Sequence, residues 1–222
     1  MDQTLFSDVD RYITDRLAPR DEDLEAAQKA SADAGLPAIS VSAAQGKMLS
    51  IYATMIGARR ILEIGTLGGY STLWLGWALP VGGSIVTLEA DPKHAEVARA
   101  NIARAGLADS VEVRVGKALD TLPKLAAENP APFDMFFIDA NKDSIPEYFQ
   151  WALKLSHKGS LIVVDNVVRG GKILDAQSAD ANVQGVRRFY DMLAKEARVS
   201  ATAIQTVGSK GYDGFALAVV LG

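Results

Sequence analysis

The stretch that decides the fold is Glu63-Ile64-Gly65-Thr66-Leu67-Gly68-Gly69-Tyr70-Ser71, a glycine-rich loop that directly follows a short apolar run. The run, Ile61 to Ile64, predicts a buried β-strand, and Tyr70 to Leu79 predicts a helix that ends before Pro80. Glycines let the backbone turn sharply and approach a ligand closely. Because ligands of open α/β sheets bind beyond the carboxyl ends of the strands, the loop is a candidate ligand-binding segment.

Apolar runs and helical patterns alternate downstream of this loop. Strands are predicted at residues 84–90, 111–115, 133–139 and 161–165, and helices at 91–106, 119–128, 145–156 and 182–197. Five strand–helix units in succession argue for a parallel sheet with helices on both faces. The last two strands, 201–207 and 215–221, are separated by seven residues, too few for a parallel crossover. The pattern therefore predicts an α/β fold with a seven-stranded, mostly parallel sheet and an antiparallel last strand.

The first 57 residues lack this alternation, and their pattern predicts extra N-terminal helices. The second helix is predicted between Asp21 and Gly35, and the third begins at Ser42, where Ser42-Ala43-Ala44-Gln45 has the form of a capping box. We expect residues 1–222 to form a single domain, with N-terminal helices in 1–57 and the ligand-binding core in 58–222.

Composition excludes several classes of protein. The chain has 222 residues, a net charge of −4, 49% hydrophobic residues and no cysteine. Disulfides and cysteine nucleophiles are therefore absent. The acidic balance disfavours a surface that coats nucleic acid, and no apolar stretch approaches the ~20 residues that span a membrane. We expect a cytoplasmic enzyme or binding protein.

The glycine loop lacks the pattern of a dinucleotide site. A G-x-G-x-x-G fingerprint would need glycine where Leu67 stands. Glu89 ends the second predicted strand, 24 residues after Gly65, where an acid can accept ribose hydroxyls. Glu63 adds a second carboxylate beside the loop. These features suit a ligand with a ribose and a positive charge but no phosphate, such as S-adenosylmethionine (SAM).

A second set of polar residues follows the fourth and fifth predicted strands. Asp139 ends one strand, and Asp165 with Asn166 ends the next. If these strands are neighbours, the two carboxylates lie roughly 5 Å apart along the ladder. Two carboxylates and an amide oxygen are hard ligands suited to Mg²⁺, Mn²⁺ or Ca²⁺. Lys142, three residues after Asp139, can reach the same site and is a candidate base.

Residues from about Ile39 to Gly171 resemble the cation-dependent O-methyltransferases, a branch of the class I methyltransferases with a Rossmann-like fold. That branch includes catechol and caffeoyl-coenzyme A O-methyltransferases and bacterial relatives. The resemblance depends on the motifs E-I-G-T-x-x-G-Y-S, F-I-D-A-x-K and V-D-N, and the closing GSKGYDGFALAVV is similar to the bacterial branch.

The resemblance implies an O-methyltransferase that uses SAM and a divalent metal on a small phenolic acceptor with vicinal hydroxyls. It assigns Lys142 and Asp139 to catalysis. It assigns three residues, Asp139, Asp165 and Asn166, to the metal. The residues implied to contact the donor are Val41, Glu63, Gly65, Ser71, Glu89, Ala118 and Asp139. The N-terminal helices are expected to pair two subunits into a homodimer.

The sequence departs from the animal catechol enzymes between Asp139 and Lys142. Those enzymes carry an aromatic residue and a histidine there, whereas this chain has Ala140 and Asn141. The difference leaves the acceptor open. One alternative is a methyltransferase for hydroxylated uridine in tRNA, for which Arg169, Lys172, Arg187 and Arg188 would form a basic patch. Another is a donor-binding module without turnover, and a nucleotide-dependent oxidoreductase is disfavoured by Leu67.

Overall fold

The computed structural model describes residues 2–18, 21–128 and 130–222. Seven strands form one sheet in the order β3-β2-β1-β4-β5-β7-β6. They are β1 Arg60–Ile64, β2 Ser84–Glu89, β3 Val111–Val115, β4 Phe133–Ile138, β5 Ser156–Asp165, β6 Val199–Gly208 and β7 Gly211–Val220. The pairs among β1 to β5 are parallel, and β7 runs antiparallel to both β5 and β6. The predicted sheet and its antiparallel last strand are confirmed.

Eight α-helices and two 3₁₀ helices accompany this sheet in the described part of the chain. They are α1 Gln3–Leu17, α2 Glu22–Asp33, α3 Ala43–Met55, α4 Tyr70–Gly76, α5 Pro92–Arg104, α6 Ala118–Ala127, α7 Ile145–Leu155 and α8 Ala181–Leu193, with 3₁₀ helices Lys142–Ser144 and Arg169–Leu174. The Asp21 side chain caps α2, and Asp91 caps α5 with Pro92 in its first turn. Aspartate accepts the free amides of a first helical turn, and proline lacks one of them, so these residues begin helices where the sequence predicts.

Several element bounds differ from the predictions. Strand β6 ends at Gly208 and β7 begins at Gly211, so two residues join them rather than the predicted seven, because most of the glycine-rich segment pairs within the antiparallel ladder. Helix α4 ends at Gly76 rather than Leu79, and α8 ends at Leu193 rather than Ala197. Strand β5 begins at Ser156, directly after α7, five residues earlier than its apolar run. The Ser160 hydroxyl donates to the Phe133 carbonyl (2.7 Å) and accepts the His157 amide (2.9 Å), which ties the polar start of β5 to β4. Side-chain bonds of this kind leave no mark in the hydrophobic pattern.

The core has two layers, one on each face of the sheet. Along β4, Phe136 and Ile138 pack into one cluster, with residues of α6, α7 and α8. Met135 and Phe137 point into the other cluster, with residues of α2 to α5. All four side chains are fully buried. Because successive strand residues face opposite sides, a strand buried on both faces reads as the continuous apolar run seen in the sequence.

Helix α1 contacts the rest of the molecule through polar bonds near the β6–β7 turn. The side-chain amide of Gln3 donates to the Gly208 carbonyl (2.8 Å), and the backbone amide of Ser209 donates to the Asp10 carboxylate (2.6 Å). Most apolar residues of α1 remain exposed; they are Leu5, Val9, Tyr12, Ile13 and Leu17. A homodimer formed through the N-terminal helices stays a prediction. Among the described residues, no helix combines the length and the apolar character that a membrane crossing needs.

An ion pair at the amino-terminal edge of the sheet makes stability depend on pH. His157 Nε2 lies 2.8 Å from Asp134 Oδ1, while Asp134 Oδ2 accepts the amides of Arg59 and Arg60. The bond to Asp134 is the main reason why the pKa of His157 is raised above its ordinary value of 6.5. The folded protein therefore holds this proton more tightly than the unfolded chain. The stabilisation is complete below pH 6.5 and is lost as the pH rises through the folded pKa.

We expect His157→Gln to be less stable than the wild type at low pH and nearly equal to it at high pH. The His157 side chain is 43% exposed, so solvent screening limits the difference to about 0.2–1 kcal/mol. Urea unfolding of both proteins at about pH 5.5 and about pH 8.5 measures it. A stability difference that grows with pH would contradict this account.

Candidate active site

A cavity of about 530 Å³ opens at the carboxyl ends of β1, β2, β4 and β5. Its wall includes seven residues singled out from the sequence: Val41, Gly65, Ser71, Glu89, Asp139, Lys142 and Asn166. Parallel strands place their carboxyl ends at one edge of a sheet, so side chains far apart in the sequence come together there. Two predicted site residues, Glu63 and Ala118, lie outside this wall, and Asp165 lines an adjoining cavity of about 260 Å³ together with Asn166.

Gly65 connects the glycine loop to the end of β4. The Asp139 amide donates to the Ile64 carbonyl (2.8 Å), which draws β1 and β4 together at this point. Gly65 has φ 100°, and a Cβ on it would lie 2.2 Å from the Asp139 carbonyl oxygen. A residue with a side chain would therefore push the loop away from β4.

Glu89 organises the same loop from the end of β2. Its Oε2 accepts the amides of Thr66 (3.1 Å) and Leu67 (2.8 Å), and its Oε1 accepts the amide of Asp91 (2.9 Å). A carboxylate has about four acceptor sites, so these three bonds leave about one for a ligand hydroxyl. The side chain thus both holds the loop and faces the cavity.

Glu63 supports the cavity from behind. It is fully buried and accepts hydrogen bonds from Ser71 (2.6 Å), Thr72 (2.5 Å) and Thr87 (2.7 Å). Burial raises the pKa of Glu63 to about 7, even though the three hydroxyl donors act in the opposite direction. The structure gives Glu63 a positioning role through Ser71, which does line the cavity. Direct contact of Glu63 or Ala118 with a donor stays a prediction.

The second predicted cluster forms where β4 and β5 end side by side. Ile138 is paired with Val164, so the next residues, Asp139 and Asp165, are level with each other about one ladder spacing apart. Asn166 follows in the left-handed conformation (φ 57°), and its amide donates to Asp165 Oδ1 (2.8 Å). The structure therefore brings the predicted metal-binding residues together.

The two carboxylates of this cluster repel each other, and Lys142 is the cation beside them. Burial, followed by repulsion from Asp139, raises the pKa of Asp165 to about 7, and the positive charge of Lys142 opposes this shift. The buried Lys142 ammonium lies 2.6 Å from Asp139 Oδ1. Nearby carboxylates repel one another, and a cation between them stabilises the ionised forms.

The donor set fits a hard divalent ion. Within residues 2–18, 21–128 and 130–222, no three His, Cys, Asp or Glu side chains come together as a metal site. The cluster instead offers two carboxylates and the Asn166 amide oxygen, which suit Mg²⁺, Mn²⁺ or Ca²⁺. The absence of thiolate and imidazole from this set disfavours softer metals.

Some residues at this site were missed by the sequence analysis. Gln45 gives its amide to the Ser42 cap (3.2 Å), as predicted, but its side chain bonds Asp165 instead of closing the capping box. His94 and Asn182 line the cavity, and the Asn182 side chain accepts the Lys142 amide (3.2 Å). These residues lie on helices whose packing the local sequence does not reveal.

Together, the sheet order, the glycine loop and the two strand-end clusters define a class I methyltransferase fold with a donor cavity. The comparisons with known proteins agree. A model of the O-methyltransferase family matches residues 16–219. The chain therefore belongs to the O-methyltransferase family.

Relatives of this chain extend the assignment. It is 55% identical to a catechol O-methyltransferase of Niastella koreensis, covering 99% of this chain and 100% of that protein. An O-methyltransferase of Bacillus cereus solved with S-adenosylhomocysteine (SAH) is 56% identical with a TM-score of 0.97, covering 98% and 99% of the two chains. TomG of Streptomyces achromogenes, solved with SAM and involved in tomaymycin synthesis, is 55% identical, with a TM-score of 0.97 and full coverage of both chains. The chain is a SAM-dependent O-methyltransferase.

The bonds of Glu89 lead to a prediction about donor binding. We expect Glu89→Gln to weaken SAH binding by roughly 10–150-fold, because a hydrogen bond to a charged acceptor contributes about 1.5–3 kcal/mol. Glu89→Ala should show a similar loss of affinity and a lower melting temperature, since the Thr66 and Leu67 amides lose their acceptor. Titration calorimetry and thermal unfolding measure the two effects, and unchanged affinity in both variants would remove Glu89 from the donor site.

Proposed function

We propose that this enzyme methylates one hydroxyl of a small aromatic acceptor with two vicinal hydroxyls, and that it needs a divalent metal ion. The observation that carries the proposal is the cluster at the ends of β4 and β5. There Asp139, Asp165 and Asn166 present oxygen ligands, and the Lys142 ammonium lies 2.6 Å from one of them. The catechol O-methyltransferase name of the Niastella koreensis relative supports the same acceptor class.

The donor would occupy the part of the cavity nearest β1 and β2. Ser71 and the backbone beside Gly65 and Val41 would hold its methionine portion, and Glu89 would accept a ribose hydroxyl. The donor's methyl group would then face the Asp139 side of the cavity. Holding both reactants in one cavity converts a bimolecular reaction into an effectively unimolecular one, which supplies much of the rate.

The chemistry proposed is a direct displacement. Asp139, Asp165 and Asn166 would hold a divalent ion, whose Lewis acidity would lower the pKa of an acceptor hydroxyl beside them. Beside a divalent cation the ammonium form of Lys142 would be disfavoured, so that the side chain gives up a proton to solvent. The neutral amine at Nζ would then accept the proton from that hydroxyl. The oxygen attacks the methyl carbon, the carbon–sulfur bond breaks, and the electron pair stays on the sulfur of SAH. No covalent enzyme intermediate is needed.

The acceptor would lie on the outer side of the metal cluster, where two cavities meet. The cavity of about 260 Å³ shares Asn166 with the donor cavity and is also lined by Gln45, Met48 and Phe215. Asn141 forms part of the donor-cavity wall, and its side chain bonds Tyr148 (2.5 Å) and Ser144 (2.8 Å). The animal catechol enzymes carry a histidine at this position. The Asn141 side chain that replaces it is already hydrogen-bonded within the protein.

A tRNA substrate stays an alternative to a small acceptor. Of the four residues expected to form its basic patch, Arg187 donates to the carbonyl of Ile173 and Arg188 to the carbonyl of Asp143 (2.8 Å), which fixes where these two side chains lie. The net charge of −4 favours a small acceptor over a nucleic acid. The homodimer and the cytoplasmic location stay predictions.

A methyl-transfer assay with matched acceptors tests the acceptor class. We expect turnover of catechol with SAM and Mg²⁺, and little turnover of phenol or guaiacol, which lack a second free hydroxyl. Hydroxycinnamates, flavonoids and tRNA that contains hydroxyuridine complete the panel. Equal rates on catechol and phenol would contradict a mechanism that needs two vicinal oxygens.

A further inference from the structure

Arg169 lies in the donor cavity wall at the end away from the glycine loop. It follows Asn166 by three residues, opens the 3₁₀ helix Arg169–Leu174, and lines the cavity with Lys142 and Asn182. Glu89 ends β2 and Arg169 follows β5, and these strands are three positions apart in the sheet, roughly 14 Å. Arg169 is therefore beyond the metal cluster as seen from the ribose end, on the side proposed for the acceptor.

The backbone at Arg169 is held in one place. Asp213 Oδ1 accepts the amides of Val168 (2.9 Å), Arg169 (2.9 Å) and Gly214 (3.0 Å). Arg169 itself has φ 55°, a conformation that residues other than glycine rarely adopt. The β5 extension thus presents this side chain from a fixed turn.

The guanidinium group of Arg169 makes no ion pair with a described residue, and its Nε is buried without a hydrogen-bond partner. One counter-charge is Asp180, whose pKa Arg169 helps to lower from beyond ion-pair distance, and the Asp180 side chain caps α8 by accepting the Asn182 amide (2.9 Å). A half-buried guanidinium without a paired carboxylate can bind an anion from outside the protein.

We propose that Arg169 binds a carboxylate carried by the methyl acceptor, so that the enzyme prefers acidic vicinal diols to neutral ones. The inference rests on the proposed function. The planar fork of arginine matches a carboxylate with two parallel hydrogen bonds, which a neutral amide cannot reproduce. The donor's own carboxylate belongs to the Ser71 end of the cavity and would be held there.

Two acceptors of nearly equal shape test this assignment: 3,4-dihydroxybenzoate and 3,4-dihydroxybenzamide. We expect wild-type kcat/KM to favour the benzoate, with the difference mainly in KM. Arg169→Gln should lower the benzoate-to-benzamide ratio by about 10–100-fold, the effect of losing a charge-assisted pair. Arg169→Lys keeps the positive charge but loses the planar fork. Its benzoate-to-benzamide ratio should therefore lie between those of the wild type and Arg169→Gln.

Lys172→Gln is the matched control, since it removes a positive charge three residues further on, at an exposed position outside the cavity. It should leave the ratio unchanged, as should SAH affinity in Arg169→Gln. An unchanged ratio in Arg169→Gln, or a loss of SAH affinity that explains the effect, would overturn the inference while catechol turnover upheld the proposed function. No transfer to catechol or to either test acceptor by the wild type would refute both.

Discussion

Replacing Lys142 by methionine is expected to lower kcat by about 10²–10⁴-fold, the range typical for loss of a general base. Methionine keeps the length and apolar stem of lysine but cannot accept a proton. The Nζ of Lys142 lies 2.6 Å from Asp139 Oδ1, so it is positioned where an acceptor hydroxyl held by the metal cluster would be deprotonated. A methyl-transfer assay over a pH series measures the loss.

The fold and the donor site should survive this substitution. The backbone amide of Lys142 still bonds Asn182, and SAH affinity by calorimetry should remain near the wild-type value. Removing the ammonium also leaves Asp139 free for a metal, so metal affinity should stay equal or increase. Near wild-type turnover at every pH would mean that the metal alone activates the hydroxyl.

Replacing Asp165 by alanine is expected to reduce activity by about 10²-fold or more, because stabilisation of charge by a bound metal contributes several kcal/mol. Asp165 is buried, and its carboxylate is the charged ligand that β5 contributes. Asn166→Gly removes a neutral ligand and retains the left-handed backbone at φ 57°, so its loss should be smaller. Activity measured against Mg²⁺ concentration should show the larger increase in metal requirement for Asp165→Ala.

Both variants should bind SAH normally, since the ribose and methionine contacts lie at the ends of other strands. Circular dichroism serves as a check on folding, because Asp165 also accepts the Asn166 amide. Equal activity in Asp165→Ala and wild type would show that Asp165 is not a metal ligand and has only a structural role.

Much of the fold could be predicted because its signals are local. Asp91-Pro92 begins a helix, the glycine loop follows a buried strand, and the last two strands follow each other too closely for a parallel crossover, so they pair antiparallel. The start of β5 could not be predicted in this way. Its first residues are held by the Ser160 hydroxyl, whose partner Phe133 is 27 positions away.

In the site, too, the residues with a local sequence signal could be predicted, and those that depend on packing could not. Asp139, Asp165 and Asn166 were predictable because parallel strands bring their carboxyl ends to one edge. The position of Glu89 at a strand end was inferred from the sequence. The hydrogen bonds that its carboxylate accepts from three backbone amides could not be inferred. Gln45 reaches Asp165 from α3 because the N-terminal helices pack against the sheet. The buried, unbonded Nε of Arg169 depends on the folded surroundings of the side chain and leaves no signal in the sequence.

The central claim is that this enzyme transfers a methyl group from SAM to a vicinal diol with the help of a divalent ion at Asp139, Asp165 and Asn166. The most direct measurement is the rate of methyl transfer to catechol by wild-type protein freed of metal with a chelator and then titrated with Mg²⁺. We expect no transfer in the chelated protein, saturable recovery with Mg²⁺, and unchanged SAH affinity throughout. Full activity in the chelated protein would contradict the account and show a metal-independent methyltransferase.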